Sequence, residues 1–347
     1  MNLNKRILAF IELGKQLALL QKTELTNKRL LKFKDVIQQA TISNDWFTNE
    51  NIKFAIEALA KSLSENNLNK WLASYPDLTD YKTSKNIALI MAGNIPLVGF
   101  HDLLCTLISG HKAVVKLSSK DDLLLKGIID LLVNIETGFK DTVQFTDEHL
   151  KSFDAVIATG STNSARYFEY YFGKYPNIIR KNRNSVAVLT GNETKEDLMH
   201  LADDIFLYFG LGCRNVSKLF IPDDFDVDRF FKAVFQYKEV INHNKYANNY
   251  TYNRSVYLMN KIDFLENGFL ILKEDLGMSS PISVVFYERY SKLETVTERL
   301  SIEQNNIQCV VSNEKKLPNR VAFGEAQNPQ LWDYADNVDT MKFLLDL

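Results

Sequence analysis

Apolar residues in the first 75 positions recur three and four apart, as in MNLNKRILAFIELGKQLALLQK, the spacing that buries one face of a helix. This predicts amphipathic helices over residues 1 to about 75, with Ser43, Asn44 and Asn49 as candidate N-caps in TISNDWFTNENIKFAIEALAKSL. From residue 86 the texture changes to short β-rich runs, each followed by a longer amphipathic one. NIALIM precedes PLVGFHDLLCTLIS, and AVVKL precedes a helix from about Asp121 to Ile135. DAVIATG precedes SARYFEYYF, SVAVLTG precedes TKEDLMHLADDIFLYF, and SKLFIP precedes DVDRFFKAVFQYKEVI. Such alternation implies βαβ units and a mostly parallel sheet covered on both faces, an α/β class. After about residue 255 the rhythm loosens, leaving SVYLMN, PISVVFY, CVVSN and RVAF as further strand candidates.

Charge and composition narrow the picture. With 41 basic against 43 acidic residues, the net charge of −2 gives no electrostatic case for nucleic acid as a partner. Lys5, Arg6, Glu12 and Lys15 interrupt the first apolar run, so it lacks the core of a signal peptide. The most apolar stretch, NIALIMAGNIPLVGFHDLLCTLISG, contains Asn94, Pro96, His101 and Asp102 and does not read as a membrane span. Cys105, Cys213 and Cys309 are too few and too scattered for a disulfide framework, which suits a reducing compartment, and a cytoplasmic address is expected. The five histidines show no metal-ligand spacing, no GxxxxGK[ST] loop occurs, and HNKYANNY around His243 reads as a polar surface loop.

Four segments carry candidate chemistry, each with a plainer structural use. In DIFLYFGLGCRNVSKLFIP, Gly210 and Gly212 follow a helix and precede a strand, the reverse of a dinucleotide-binding turn, and Asn215 stands where the third glycine belongs. Cys213 is there either a reactive thiol or a small apolar packing residue. In AGNIPLVG, Asn94 stands at the carboxyl end of a strand, where its side chain can donate to an oxyanion or merely start the next helix. AVVKLSSKDD places Lys116, Ser118, Ser119 and Lys120 after a strand, suited to a ribose or phosphate or to solvent. In ATGSTNSAR, Thr159, Gly160, Ser161 and Thr162 open a helix, as an anion site, an N-cap, or both.

In this order the four segments are similar to the aldehyde dehydrogenase superfamily, and most closely to its acyl-CoA reductase branch, the LuxC-like fatty-acid reductases. GNIP at 93–96 resembles the oxyanion segment, VVKLSS at 114–119 the cofactor lysine strand, TGST at 159–162 the pyrophosphate helix start, and GLGCRNVSKLFIP at 210–222 the nucleophile segment. The resemblance implies two Rossmann-like parallel-sheet domains with the active site between them. It implies a helical region over 1–80 packed on a cofactor domain at 81–195, a catalytic domain at 196–320, and a C-terminal segment at 321–347 available for oligomerisation.

The implied reaction is reduction of an acyl thioester to a fatty aldehyde. The Cys213 thiolate attacks the carbonyl, the Asn94 side chain and the Cys213 amide hold the oxyanion, coenzyme A leaves, and hydride reduces the acyl-enzyme. Where related aldehyde oxidisers carry a general-base glutamate, this chain reads IIRKNRNSVAVL, with Arg180 near the matching position, so no carboxylate is expected to activate water. Ser119 and Lys120 replace an acidic ribose ligand, which points to NADPH. KEDLGMSSPISVV is similar to a segment touching the nicotinamide ribose, through Glu274 or Asp275. The implied partners are an acyl-CoA or other acyl thioester and a second copy of the chain, with no metal. The alternatives are an aldehyde dehydrogenase or acyl-phosphate reductase on the same fold, or a non-catalytic nucleotide- or acyl-binding subunit.

Overall fold

The computed structural model describes residues 1–20, 26–79 and 83–347. Four helices open it: α1 (Leu3–Leu19), α2 (Lys28–Ser43), α3 (Asn49–Ser62) and α4 (Glu65–Leu72). They start where a polar side chain can take an unpaired first-turn amide. Asn2 accepts from Lys5 N and Asn27 from Arg29 N, both at 2.9 Å. Of the expected caps, Ser43 ends α2, Asn44 is its C-cap and Asn49 is the first residue of α3; Thr48 caps α3, accepting from Asn51 N at 3.2 Å. The last residues of the opening run, Gln21 and Lys22, and the expected region limit at 80 lie outside the described residues.

Strands and helices then alternate as β1 (Asn86–Ile90), α5 (Phe100–Ile108), β2 (Lys112–Lys116), α6 (Leu124–Ile135), β3 (Val143–Phe145), β4 (Ala155–Thr159), α7 (Thr162–Phe172) and β5 (Asn177–Arg180). Next come β6 (Asn184–Val188), α8 (Lys195–Phe206), β7 (Val216–Pro222), α9 (Val227–Val234), α10 (Asn244–Met259), β8 (Leu265–Glu266), β9 (Ile271–Glu274) and β10 (Val284–Tyr290). The chain closes with α11 (Leu293–Ile302), β11 (Ile307–Val311), β12 (Arg320–Val321) and α12 (Thr340–Leu345). The contacts divide it into two compact units, residues 1–181 with 330–347, and residues 182–329.

The first unit holds a parallel sheet in the order β3-β2-β1-β4-β5. Ile87, Leu89, Ala113 and Val115 face a core that Phe10, Leu13, Phe33, Leu104 and Leu132 complete, so the opening helices share one core with the sheet. The closing segment belongs to the same core: Trp71 Nε1 donates to Tyr334 Oη at 2.7 Å, and His111 Nε2 lies 2.9 Å from Leu344 O.

The second unit holds a seven-stranded sheet in the order β12-β11-β6-β7-β10-β9-β8, with β8 antiparallel to β9. Two expectations change here. The boundary set at 195/196 falls at 181/182, because β6 pairs with β7 and β11 and carries SVAVL into the second sheet, and the one set at 320/321 falls at 329/330, with β12 paired to β11 in that sheet. The SVYLMN segment and the HNKYANNY loop are parts of α10, whose buried stripe is Tyr246, Tyr250, Asn253 and Tyr257. Tyrosines and an asparagine make that stripe, so its helical period is hard to see in a hydrophobic pattern; Tyr246 Oη ends on Phe269 O at 3.0 Å.

Candidate active site

In the first unit, β1 lies between β2 and β4, so the chain leaves the sheet in opposite directions beside it. A crevice outside the carboxyl ends at such a point is where open α/β sheets take ligands. Ile90 is in register with Lys116 on one side and Ala158 on the other, which brings the Asn94, Lys116 and Thr159 loops to one edge.

Asn94 is half-buried in a tight turn after β1. A Cβ on the preceding Gly93 would lie 2.7 Å from Ser118 Cβ and Oγ, so only glycine fits there. Leu97, three residues after Asn94, is buried with φ of 59°, and its N–H donates to Asp121 Oδ2 at 2.8 Å. Lys116 reaches the carbonyls of Asp147 and Glu148 at 3.4 and 3.1 Å. Ser118 Oγ accepts from Lys120 N at 3.3 Å, while Ser119 and Lys120 are exposed. At the start of α7, Ser161 caps the helix by accepting from Ser164 N at 3.2 Å, with Thr162 exposed beside it.

Arg180 ends β5 in register with Thr159 and is buried. Its guanidinium meets Asp102 Oδ2 at 2.6 Å and Thr340 Oγ1 at 2.9 Å. Burial works against its charge, but the Asp102 carboxylate outweighs that and raises its pKa. Arg180 is therefore a clasp holding α5 and α12 to the strand end, and it has no capacity to take a proton from water.

Cys213, Glu274 and Asp275 belong to the second unit. After α8 the backbone passes through three successive left-handed residues, Tyr208, Phe209 and Gly210, with φ of 54°, 57° and 77°. For the two aromatic residues this conformation is strained, by about 1–2 kcal/mol each. Tyr208 is buried, and the Phe209 ring lies 4.3 Å from that of His243, contacts that hold the strained path.

Asn215 locks the end of this path. Its side-chain NH₂ donates to the carbonyls of Asp204, Ile205 and Leu207 at 3.0, 3.3 and 2.8 Å, and its Oδ1 accepts from Gly212 N at 2.8 Å. One side chain thus satisfies carbonyls left open by the end of α8 and closes the turn that carries Cys213. Ser185 Oγ donates to Cys213 O at 3.2 Å, and Arg214 Nε to Ala326 O at 2.5 Å. Asp204 accepts from Gly324 N and Ala326 N at 2.7 and 2.9 Å. Burial still pushes its carboxyl up to about 7.

Of the two candidate acids, Asp275 is already engaged: its carboxylate takes Lys273 Nζ and the Gly277 N–H, which lie on either side of it in the chain. Its carbonyl takes Nζ of Lys218, a lysine buried in β7 and paired with Glu288 at 3.0 Å. Glu274 is exposed, and is the carboxylate of the pair open to a ligand.

Asp121 and Asn215 escaped the sequence reading as site residues. Both are polar residues at the edge of an apolar run, in KDDLLLKG and RNVSKLF, and that position was the available signal. Their partners lie on other segments, which no local pattern reveals. Among the described residues no cluster suits a metal ion, and no helix is long and apolar enough to cross a membrane.

The family model described as acyl-CoA reductase (LuxC) matches residues 5–239, a span that takes in Asn94, the Lys116 and Thr159 loops and Cys213 and covers more than half of the chain. The chain belongs to the acyl-CoA reductase (LuxC) family. None of the curated proteins matches it in sequence. Aldehyde dehydrogenase 21 from Physcomitrella patens, solved with the reaction product succinate, is similar with a TM-score of 0.68 at 13% identity, over 100% of this chain and 84% of that one. The NADP-dependent glyceraldehyde-3-phosphate dehydrogenase of Bacillus halodurans C-125, solved with NADP, gives 0.62 at 13%, covering 91% and 75%. An aldehyde dehydrogenase from Bacillus cereus, solved with NAD+, gives 0.61 at 14%, covering 90% and 72%. At these identities the likeness is one of fold, so this acyl-CoA reductase family member has the α/β fold of the aldehyde dehydrogenases.

Proposed function

We propose that the protein reduces an acyl-CoA thioester to an aldehyde, with Cys213 as nucleophile and NADPH as reductant. The contrast among its thiols carries this reading: Cys105 and Cys309 are buried, whereas Cys213 is half-buried on a turn whose every neighbour is pinned. A packing cysteine needs no such mounting.

The Cys213 thiolate attacks the thioester carbonyl, and the Asn94 side chain and the Cys213 amide receive the negative oxygen. Collapse expels the coenzyme A thiolate and leaves the acyl group on Cys213. A bound nicotinamide cofactor supplies hydride to that carbonyl. The resulting thiohemiacetal breaks its carbon–sulfur bond, releasing the aldehyde and returning the Cys213 thiolate.

The strand-end loops fit such a cofactor. Lys116, Ser118, Ser119, Lys120, Thr159, Ser161 and Thr162 offer cations and hydroxyls, and Gly160 leads into the α7 N-terminus, a donor set suited to phosphate and ribose. No carboxylate stands from 116 to 120, where an acidic ribose ligand would repel a 2′-phosphate, and the Ser119/Lys120 pair favours NADPH over NADH. The neighbours solved with NADP and NAD+ support a nicotinamide cofactor. Glu274 is the better of the two acids for a ribose contact, Asp275 being engaged by Lys273. At that strand end the carboxylate of Asp102 is paired with the buried Arg180 guanidinium and so is not free to activate water, in keeping with reduction over hydrolysis.

The test is turnover of a panel of acyl-CoA thioesters with NADPH, followed by product analysis. Wild type should form aldehyde and free coenzyme A, and Cys213→Ser should form neither above background. A Cys213→Ser variant with undiminished turnover, or carboxylic acid as the main product from aldehyde and NADP+, sinks the proposal.

A further inference from the structure

The Asn94 turn is fastened on both sides of Asn94 to one other segment. Gly93, just before it, presses on Ser118 so closely that a Cβ would come within 2.7 Å. Leu97, three residues after it, gives its N–H to Asp121 at 2.8 Å. Ser118 and Asp121 are themselves the two ends of a tight turn, closed by Asp121 N donating to Ser118 O at 3.0 Å. Between them stand Ser119 and Lys120, the exposed residues assigned above to the cofactor.

Leu97 has φ of 59°, a conformation a leucine keeps only where its surroundings over-determine it. Pro96 has no N–H, so the Leu97 N–H is the first donor after Ile95 that can hold the turn. Asp121 is 7% exposed, and its buried carboxylate takes that N–H together with the backbone N–H of Leu124 at the start of α6. A carboxylate accepting a backbone amide is a strong and directional hydrogen bond.

We propose that Asp121 is a positioning residue that joins the Asn94 turn to the Ser118–Asp121 turn, so that a nucleotide gripped by Ser118, Ser119 and Lys120 fixes the Asn94 side chain. The tether is a matter of geometry, while its catalytic consequence rests on the acyl-CoA reductase reading of Asn94.

Hydrogen exchange of residues 92–99, with and without NADPH, reads the tether without any turnover. In wild type, NADPH should slow exchange of the Leu97 amide. In Asp121→Ala that amide should exchange roughly tenfold faster, the scale of losing a hydrogen bond to a charged group, and should no longer respond to NADPH. Asp121→Asn keeps an acceptor oxygen and should restore the response, which covers the case in which Asp121→Ala does not fold. Single-turnover acylation should fall about tenfold in Asp121→Ala, with NADPH affinity and the KM for acyl-CoA within about threefold of wild type, because the lost contact orients Asn94 and touches neither ligand.

A Leu97 amide that responds to NADPH in Asp121→Ala as in wild type overturns the proposal, as does an Asp121→Asn protein that stays folded and loses the response. A wild type that forms no acyl-enzyme while its Leu97 amide still responds through Asp121 supports the tether and removes the chemistry given to Cys213.

Discussion

Around Cys213 the polar side chains are spent on backbone atoms, whereas in the loops after β2 and β4 of the first unit several face outward. Asn215, Asp204, Ser185 and Arg214 place bonds of 2.5 to 3.3 Å on backbone atoms around the thiol turn. Ser119, Lys120, Ser161 and Thr162 are exposed. On the proposed reading, the difference suits what each place would do. A nucleophile must meet a carbonyl carbon in one orientation, which favours a rigid mount. A nucleotide is held by many charge-assisted contacts of tolerant geometry, which favours flexible cations and hydroxyls.

Substitutions can break this comparison, and Asn94→Ala should do so most sharply. Removal of a preorganised oxyanion donor is expected to slow acylation by about 100- to 1,000-fold, read by pre-steady-state coenzyme A release, with the unfolding midpoint unchanged. A loss of stability with little loss of rate would make Asn94 a turn residue only.

Asn215→Ala comes next. It leaves three carbonyls and the Gly212 N–H without their partner, and about 3 kcal/mol of stability should go, measured by urea unfolding. The Cys213 thiol, half-buried and so expected to react with iodoacetamide faster than the buried Cys105 and Cys309, should also change its rate as the turn relaxes. A stable Asn215→Ala protein with normal labelling would mean that the mount is not what aims Cys213.

Asp204 gives a pH dependence. Its carboxyl has an ordinary value of 3.8, and burial raises it to about 7 in the fold. Between those values the folded chain holds a proton that the unfolded chain has released, so this group's contribution to stability falls as pH rises and is flat above about 7. Asp204→Asn removes that slope. Relative to wild type, the variant should gain stability between pH 5 and pH 7.5 in urea unfolding; parallel curves would show that Asp204 does not titrate there.

The outward-facing loops should respond more mildly. Ser119→Glu is expected to shift the NADPH-over-NADH preference in kcat/KM by roughly tenfold toward NADH through repulsion of the 2′-phosphate, with no change in unfolding. An unchanged preference would move the specificity away from Ser119.

Some of this was legible in the sequence and some was not, for physical reasons. The strands of the first sheet are contiguous apolar runs with abrupt polar ends, so NIALIM and AVVKL announce both the strand and the loop after it. Cys213 and its glycines stand together in GLGC and are equally visible. The mount is not: the side chain of Asn215 caps a helix end up to eleven residues earlier, and Asp121 meets an amide twenty-four residues away. Such partners are set by tertiary packing. The second unit's start was also misplaced, because SVAVL reads as a strand without saying which sheet it joins. α10 was missed because its buried face is largely tyrosine, a residue favoured in strands.

Mass spectrometry after incubation with mixed acyl-CoAs and no cofactor tests the central claim most directly, since without hydride the acyl group should remain on the enzyme. A single acyl adduct is expected on the peptide carrying Cys213, absent from Cys213→Ala and discharged when NADPH is added. An adduct on Cys105 or Cys309, or no adduct from any thioester in a folded protein, would contradict the assignment of Cys213 as nucleophile.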